Sequence, residues 1–206
     1  MFQIEGQSIH EQEFMFSSGQ VNHLGPELEY IDCELGFNLL SEELVMNQVR
    51  FEGCRLSFQR PLFDFRWAST NWSNCKFFGN LVRNDFGTRI RRSEWGKCIE
   101  CDFSDAILDG CRFFNADMNR IQLPPWPCFT VRSPMDHLPE LLASRYLILR
   151  ELGSEYEFTL AEAACVVENA NSLSRRFDIS LKDIFEAVSA CKFIEVISNH
   201  NETAFQ

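Results

Sequence analysis

A five-residue repeat in the middle of the chain restricts the folds that the chain can adopt. From Cys101 the sequence divides into C-D-F-S-D, A-I-L-D-G, C-R-F-F-N, A-D-M-N-R and I-Q-L-P-P. All ten residues at the first and third positions of these units are apolar, against 45% hydrophobic residues in the whole chain. Chance gives such agreement in about one frame in several thousand. A period of five matches neither an α-helix nor a flat β-strand, so a different regular structure is required.

The same repeat occurs upstream of Cys101, with one-residue slips. It is clear in F-R-W-A-S, T-N-W-S-N, C-K-F-F-G and N-L-V-R-N over 65–84, and it recurs over 49–58 and 28–37. A solenoid explains it if each five-residue side turns one corner, because the first and third residues then point inward and the others outward. The large third residues account for the unusual number of 20 Phe in the chain.

Cysteine spacing indicates the length of one coil. Cys33, Cys54 and Cys75 all occupy first positions, 21 residues apart, and Gly96 and Ala116 continue the spacing. Four sides of five residues make a coil of about 20, so these residues are predicted to stack in one column. Free Cys is a small, apolar core residue, which gives a structural role to five of the nine Cys, namely 33, 54, 75, 101 and 111.

These units resemble the pentapeptide-repeat proteins, whose pattern is A-(D/N)-L/F-x-x. A-D-M-N-R and C-D-F-S-D match it closely. The resemblance implies a mainly β fold, a right-handed quadrilateral β-helix, over residues 28–123. Residues 1–27 are expected to form an N-terminal cap or an irregular first coil. Residues 85–100 lose the pattern and are predicted to be a loop or a distorted face that carries Arg89, Arg91, Arg92 and Lys97.

The repeat ends in a proline-rich stretch, which is followed by helical periodicity. Proline lacks an amide donor, so residues 124–137 are predicted to be a linker that ends the solenoid. Residues 138–206 are predicted to form a C-terminal α-helical segment of three helices. The first has Asp136 as its candidate N-cap and Gly153 as its end, the second follows a capping box at Thr159 and Glu162, and the third runs from Ser180 through Val196. These helices are expected to cap the solenoid or to join two copies of the chain as a homodimer.

Catalytic and metal-binding motifs are weak or missing in the sequence. Cys98-x-x-Cys101 is the strongest candidate, yet a structural zinc site needs four ligands and the four His are scattered. No nucleotide-binding, nucleophile-elbow or zinc-protease motif occurs. Asp102, Asp105, Asp109 and Asp117 look like an acidic cluster, but the resemblance implies that Asp at the second position of a unit is an outward turn residue. We therefore expect no catalytic residue, no cofactor and no metal, and hence no enzyme; a zinc protein or enzyme remains the least favoured alternative.

Charge is distributed unevenly along the chain. The net charge is −11, which argues against direct nucleic-acid binding because phosphate neutralisation needs clustered Lys and Arg. Residues 1–49 hold nine acidic residues and no Lys or Arg, whereas residues 50–133 have a net charge of +4 and residues 134–206 a net charge of −6. The first residues lack the features of a signal peptide, and no apolar run is long enough to span a membrane, so a cytoplasmic protein with no membrane contact is expected.

Two functions follow from the resemblance and the charge. Pentapeptide-repeat proteins include cytoplasmic immunity proteins of secreted bacterial toxins, so we expect a non-catalytic module that binds a basic toxin, such as a nuclease. The predicted partner-binding residues are Glu27, Glu29, Asp32, Glu34, Glu42 and Glu43. The alternative is a DNA mimic that protects DNA gyrase or another topoisomerase. The positive net charge of residues 50–133 favours the first function, because a mimic needs acidity along the repeat surface.

Overall fold

Residues 2–114 wind into a solenoid of stacked coils, in agreement with the five-residue repeat. The computed structural model describes residues 1–90, 92–159 and 162–198, with residue 159 described by its backbone alone. Fifteen short strands build the coils: β1 (Phe2–Ile4), β2 (Gln7–His10), β3 (Glu13–Ser17), β4 (Asn22–Leu24), β5 (Leu28–Ile31), β6 (Glu34–Asn38), β7 (Leu44–Met46), β8 (Val49–Glu52), β9 (Arg55–Phe63), β10 (Thr70–Ser73), β11 (Lys76–Val82), β12 (Asp85–Gly87), β13 (Cys98–Ile99), β14 (Ala106–Asp109) and β15 (Cys111–Phe114).

Strands in equivalent positions of successive coils pair in parallel. Three parallel sheets run along the solenoid, with strand orders β1-β4-β7, β2-β5-β8-β10-β13 and β3-β6-β9-β11-β14. A fourth sheet starts with the parallel pair β12-β15. Residues 1–27 supply β1 to β4, so they form the first coil and the start of the second. The structure is therefore mainly β, with stacked parallel-strand coils.

Inward-facing rings stack from coil to coil. The ring centroids of Tyr30 and Phe51 are 5.3 Å apart, and those of Phe51 and Trp72 are 4.2 Å apart. Phe77 and Phe103 form a second stack at 4.2 Å. All five side chains are buried. The large third-position residues of the repeat thus form the solenoid core.

The predicted cysteine column is confirmed at Cys33, Cys54 and Cys75 and is wrong beyond them. Strand register places Cys101, and not Gly96, above Cys75, since Lys76 pairs with Asp102. The reason is that the irregular stretch 88–97, within the predicted loop, lengthens this coil by about five residues. Ile121, and not Ala116, follows next, because Asp102 pairs with Gln122.

Corners of the solenoid repeat the same backbone conformation. Glu11, Asp32, Gly53, Asn74 and Glu100 occupy one corner in successive coils, and all have a φ between 50° and 64°. This left-handed conformation is costly for most side chains, and Asn, Asp and Gly tolerate it best. Polar residues at these corners therefore terminate one side of the coil and turn the chain into the next.

The C-terminal part adds three strands and four helices. Their bounds are β16 (Cys128–Arg132), α1 (Leu138–Leu142), α2 (Leu147–Thr159), β17 (Ala163–Asn169), α3 (Ala170–Phe177), α4 (Leu181–Ser189) and β18 (Ile194–Glu195). The sheet that begins with β12-β15 continues through them in the order β12-β15-β17-β16-β18. No helix among the described residues is long and apolar enough to cross a membrane.

Two predictions for this part are wrong. The expected linker at 124–137 contains β16, and the helix expected after Glu162 is β17, which pairs antiparallel with β15 and β16. The edge of β15 needs a strand partner, and β17 provides it. Cys165 and Val167 of β17 join the solenoid core, while Val166 joins a second core beneath the helices. The capping box expected at Thr159 and Glu162 spans residues outside those described.

The helix boundaries were predicted in part. Ser180 caps α4 as expected, since its Oγ accepts a hydrogen bond from the Asp183 amide at 3.1 Å. That helix ends at Ser189, before the predicted Val196. The first predicted helix is split into α1 and α2. Gly153, which was expected to end it, lies within α2. A Cβ atom at Gly153 would lie 3.0 Å from the Leu141 Cβ, so this glycine permits close contact between α1 and α2.

Replacing a stacked core ring should destabilise the solenoid far more than replacing an exposed one. Phe77 is fully buried, whereas Phe63 is 46% exposed. We expect Phe77→Ala to lower the free energy of unfolding by about 3–5 kcal/mol and Phe63→Ala by less than about 1 kcal/mol. Urea denaturation followed by tryptophan fluorescence measures both. Equal losses in the two variants would contradict the role of the ring stack.

Candidate protein-binding surface

Four of the six predicted partner-binding residues lie around one strand of the second coil. Glu27 and Asp32 flank β5 at its two corners, where both have a positive φ and exposed side chains. Glu29 lies on the outer face of β5, and Glu34 opens β6 just beyond the corner at Asp32. We call the surface formed by these four residues, together with Glu11 and Glu13 of the first coil, the N-terminal acidic surface.

Strand register brings carboxylates of the first two coils next to each other. Glu13 is directly opposite Glu34 in the β3-β6 pair. Glu11 precedes Asp32 in the corner column, and its amide donates to the carbonyl of Ile31 at 3.0 Å. Like charges on facing residues of neighbouring strands are unfavourable. The N-terminal acidic surface is therefore a concentrated negative patch and not a scatter of isolated charges.

Few contacts within the protein neutralise this patch. Glu29 accepts a hydrogen bond from the Ser8 hydroxyl at 3.2 Å. Glu34 approaches Arg55 of the third coil, with 3.8 Å between carboxylate oxygen and guanidinium nitrogen. Among the described residues, this is the one ion pair that involves residues 1–49. Glu29 is also in register with Arg50 on β8, and the other four carboxylates of the surface have no ion pair among the described residues.

Glu42 and Glu43 lie apart from this surface, on the 3-10 turn Ser41–Glu43 between β6 and β7. Glu42 is exposed. Glu43 accepts hydrogen bonds from the amides of Leu40 and Gly19, both at 2.8 Å, and from the Ser18 hydroxyl at 3.0 Å. The bonds from these amides, first that of Leu40, lower the pKa of Glu43. Glu43 therefore joins two coils, a role that its sequence position did not reveal.

Carboxylates of the later coils differ from those of the N-terminal acidic surface, because neighbouring coils supply cations to them. Asp64 receives two hydrogen bonds of 2.8 Å from Arg83, and the bonds lower the pKa of Asp64. Lys76 lies 3.0 Å from Asp102 and 2.7 Å from Asp105. Further pairs join Asp85 to Arg112 and Glu100 to Arg120. Several carboxylates of the later coils are thus neutralised within the protein, unlike most of those in the first two coils.

The structure places Cys98 and Cys101 in the solenoid core. Both are buried inward residues, Cys98 in register with Trp72 and Cys101 in the column of Cys75. The pKa of Cys75 is raised to about 12, chiefly by its hydrogen bond with the Cys101 thiol, and burial adds to the effect. The Cys75 thiol therefore stays protonated at neutral pH, which makes it a poor nucleophile. The described residues contain no group of His, Cys, Asp and Glu that could hold a metal ion.

The expected basic loop is only partly a free surface. Arg89 lies over the ring of Phe114, with 4.9 Å between the guanidinium carbon and the ring centroid. Arg92 and Lys97 are exposed, and Arg91 lies outside the described residues.

Sequence reasoning missed a cleft between the solenoid and the helices. It has a volume of about 620 Å³, and its lining includes Asp109, Tyr156 and Glu168. Glu168 is 6% exposed, and its Oε1 accepts a hydrogen bond from the Tyr156 hydroxyl at 3.0 Å. Burial, with the nearby charge of Asp109, raises the pKa of Glu168 to about 8. Sequence gave no signal for this group, because Glu168 becomes buried only when β17 enters the sheet.

The raised pKa of Glu168 should make stability depend on pH. Between about pH 4.5 and 8 the folded protein keeps a proton here that the unfolded chain releases, so stability falls as the pH rises through this range. We expect Glu168→Gln to remove this dependence. The difference in unfolding free energy between variant and wild type should then grow by roughly 4 kcal/mol across the range. Exposed Glu157 supplies the matched control, Glu157→Gln, and denaturation curves that stay parallel for Glu168→Gln and wild type would contradict the prediction.

Comparisons with protein-family models, with curated proteins and with solved structures gave no match to this chain. The stacked parallel-strand coils are compatible with the fold of pentapeptide-repeat proteins.

Proposed function

We propose that this chain is a pentapeptide-repeat protein that binds and neutralises a basic bacterial toxin, such as a nuclease, in the cytoplasm. One observation supports this most strongly: within the N-terminal acidic surface, the described residues form an ion pair with Glu34 alone, whereas Asp64, Asp102 and Asp105 of later coils are each paired with a cation. A surface that retains unfavourable like-charge neighbours gains stability when an external cation binds. A partner that supplies several Lys and Arg side chains meets that need.

Nucleases are suitable partners on electrostatic grounds. An enzyme that binds nucleic acid carries clustered positive charge against the phosphates. A negative surface attracts such an enzyme over a distance and raises the association rate, which matters for an inhibitor that must act before damage occurs. The acidic coils would compete with nucleic acid for the same basic surface.

A binding role also suits the shape of the surface. Glu27, Glu29 and Asp32 project from a strand and its two corners, on the outside of the solenoid. General acid–base catalysis needs groups that converge on one substrate. Exposed carboxylates on an outer face favour contact with a large partner over chemistry on a small one.

The DNA-mimic alternative requires negative charge along the whole rod. In the sheet that contains β3 and β6, the outward column continues from Glu34 to Arg55, Lys76 and Asp102. The charge of this outward column changes from negative to positive at the third coil, where Arg55 follows Glu34. An asymmetric binder, acidic at one end, is therefore the better-supported proposal.

Charge reversal should separate the acidic surface from the rest of the solenoid. We expect the combined substitutions Glu27→Lys, Glu29→Lys, Asp32→Lys and Glu34→Lys to weaken binding of the toxin by roughly tenfold or more. The main cause should be slower association. Asp102→Lys with Asp105→Lys should have a smaller effect, because Lys76 already neutralises these two carboxylates. The partner is isolated by pull-down from the native host, and calorimetry and binding kinetics are measured at two salt concentrations. Equal weakening in both variants, with folding checked by circular dichroism, would rule out the N-terminal acidic surface.

A cellular experiment distinguishes the two functions. Co-expression should rescue cells from the isolated partner if that partner is a toxin, and purified protein should leave gyrase supercoiling unchanged. Inhibition of supercoiling without rescue would overturn the immunity proposal in favour of the DNA mimic.

A further inference from the structure

The first coil leaves one edge of the solenoid without a strand partner. β1, β2 and β3 pair with the second coil on one side, and no described strand pairs with their other side. Unpaired strand edges attract further strands, and natural proteins usually cover or protect them. At the opposite end β17 pairs with the edge of β15, so one end of the solenoid has a covered edge and the other has an open edge.

Hydrogen bonds of β3 show which backbone groups face the open edge. The Glu34 amide donates to the Gln12 carbonyl at 2.9 Å, and the Ser18 amide donates to the Asn38 carbonyl at 2.9 Å. In a parallel ladder with this register, the even-numbered residues of β3 bond to β6. The amides and carbonyls of Glu13, Met15 and Ser17 therefore point away from the solenoid. Among the described residues these groups have no main-chain partner, although the Ser17 carbonyl accepts a hydrogen bond from the Asn22 side-chain amide at 3.4 Å.

Apolar side chains at this end are covered only in part, since Phe2 is 37% exposed and Met15 is 53% exposed. Phe16 is 2% exposed. The rings of Phe2 and Phe14 both lie against it, each with 6.1 Å between ring centroids. These rings close the bottom of the core, while the backbone edge beside them stays open. The end is thus suited to main-chain pairing more than to a purely hydrophobic contact.

The carboxylates near β3 indicate which kind of segment can pair with the open edge. Glu13 is the first residue of β3, Glu11 lies two residues before it, and Glu34 is in register with Glu13 on the neighbouring strand. A second copy of this chain would bring the same carboxylates against them, and like charges would oppose the pairing. An extended segment with Lys or Arg at alternate positions would place its cations beside these carboxylates while its main chain pairs with β3.

We propose that the free edge of β3 binds an extended, Lys- or Arg-rich segment of the partner by β-strand addition. The proposal rests on the proposed function and adds a binding mode to it. The bound segment carries cations in the outward column above Glu13. It carries apolar side chains in register with Phe14 and Phe16, where they extend the core by one further layer.

A peptide tests the edge without knowledge of the partner. The probe is a seven-residue peptide that alternates Lys and Val, and the control is the same peptide with Glu in place of Lys. We expect saturating Lys-Val peptide to slow amide hydrogen exchange at Met15 and Ser17 at least tenfold in the full chain, and the Glu-Val peptide to have no effect. Unchanged exchange at both amides with the Lys-Val peptide would overturn the proposal, and so would equal protection by the two peptides.

A pair of variants at one residue tests the main-chain contact. Met15→Pro removes an outward amide without changing charge, and proline is tolerated at edge positions whose amide faces solvent. Met15→Ala keeps the amide and serves as the control. We expect Met15→Pro to weaken binding of the peptide and of the isolated partner at least tenfold, and Met15→Ala to bind nearly as wild type.

The results of the two Met15 variants and of the charge-reversal variants test different proposals and can be interpreted separately. If Met15→Pro binds the partner as tightly as Met15→Ala, strand addition is wrong, even where charge reversal shows that the acidic surface is used. If charge reversal has no effect on the partner, the proposed function fails whatever happens at Met15. Sedimentation of wild-type protein as a dimer that Met15→Pro dissociates would overturn the proposal, because a second copy would then occupy the edge.

Discussion

Parallel stacking of coils is the constraint on which the rest of the structure depends. Each strand of an inner coil has its hydrogen-bonding groups satisfied only by the coils on either side, and each inward ring packs on the ring of the next coil. A single coil could satisfy neither requirement alone. The five-residue repeat is the sequence consequence, because every coil must present the same inward positions to its neighbours.

Stacking also creates two ends, and the protein treats them differently. At the C-terminal end, β17 runs antiparallel to β15 and contributes side chains to two cores at once, so the helices are fixed to the solenoid through a continuous sheet. This arrangement also places Glu168 in a dry position beside Tyr156. At the N-terminal end, rings cover the core and the backbone edge stays open. The N-terminal end is therefore the end of the solenoid where a further strand can still pair.

Local sequence predicted the features that depend on local rules. The inward columns of Cys33 to Cys75 and the Ser180 cap follow from residue type and spacing, and both are confirmed. The identity of β17 depends on pairing with strands 30 to 60 residues away, which outweighed a local helical pattern. Gly153 failed as a helix end for a similar reason, because its role is set by contact with α1. Of the acidic residues, Glu43 differs from the others only through hydrogen bonds that the fold creates.

Stacking converts the order of charges along the chain into a gradient along the rod. A side chain on an outer face meets mainly the residues one coil before and one coil after it, so a carboxylate can be neutralised only by a cation about 20 residues away. Coils four and five have such cations, and Asp85 and Asp102 are paired with them. Residues 1–49 contain no Lys or Arg, so their carboxylates meet cations only at the boundary with the third coil, where Glu34 lies 3.8 Å from Arg55 and Glu29 is in register with Arg50. Facing pairs such as Glu13 and Glu34 are locally unfavourable, and an arrangement that opposes folding in this way is typical of a functional surface. The acidic end is therefore best understood as a surface completed by a partner's cations, beside an edge that can accept the partner's main chain.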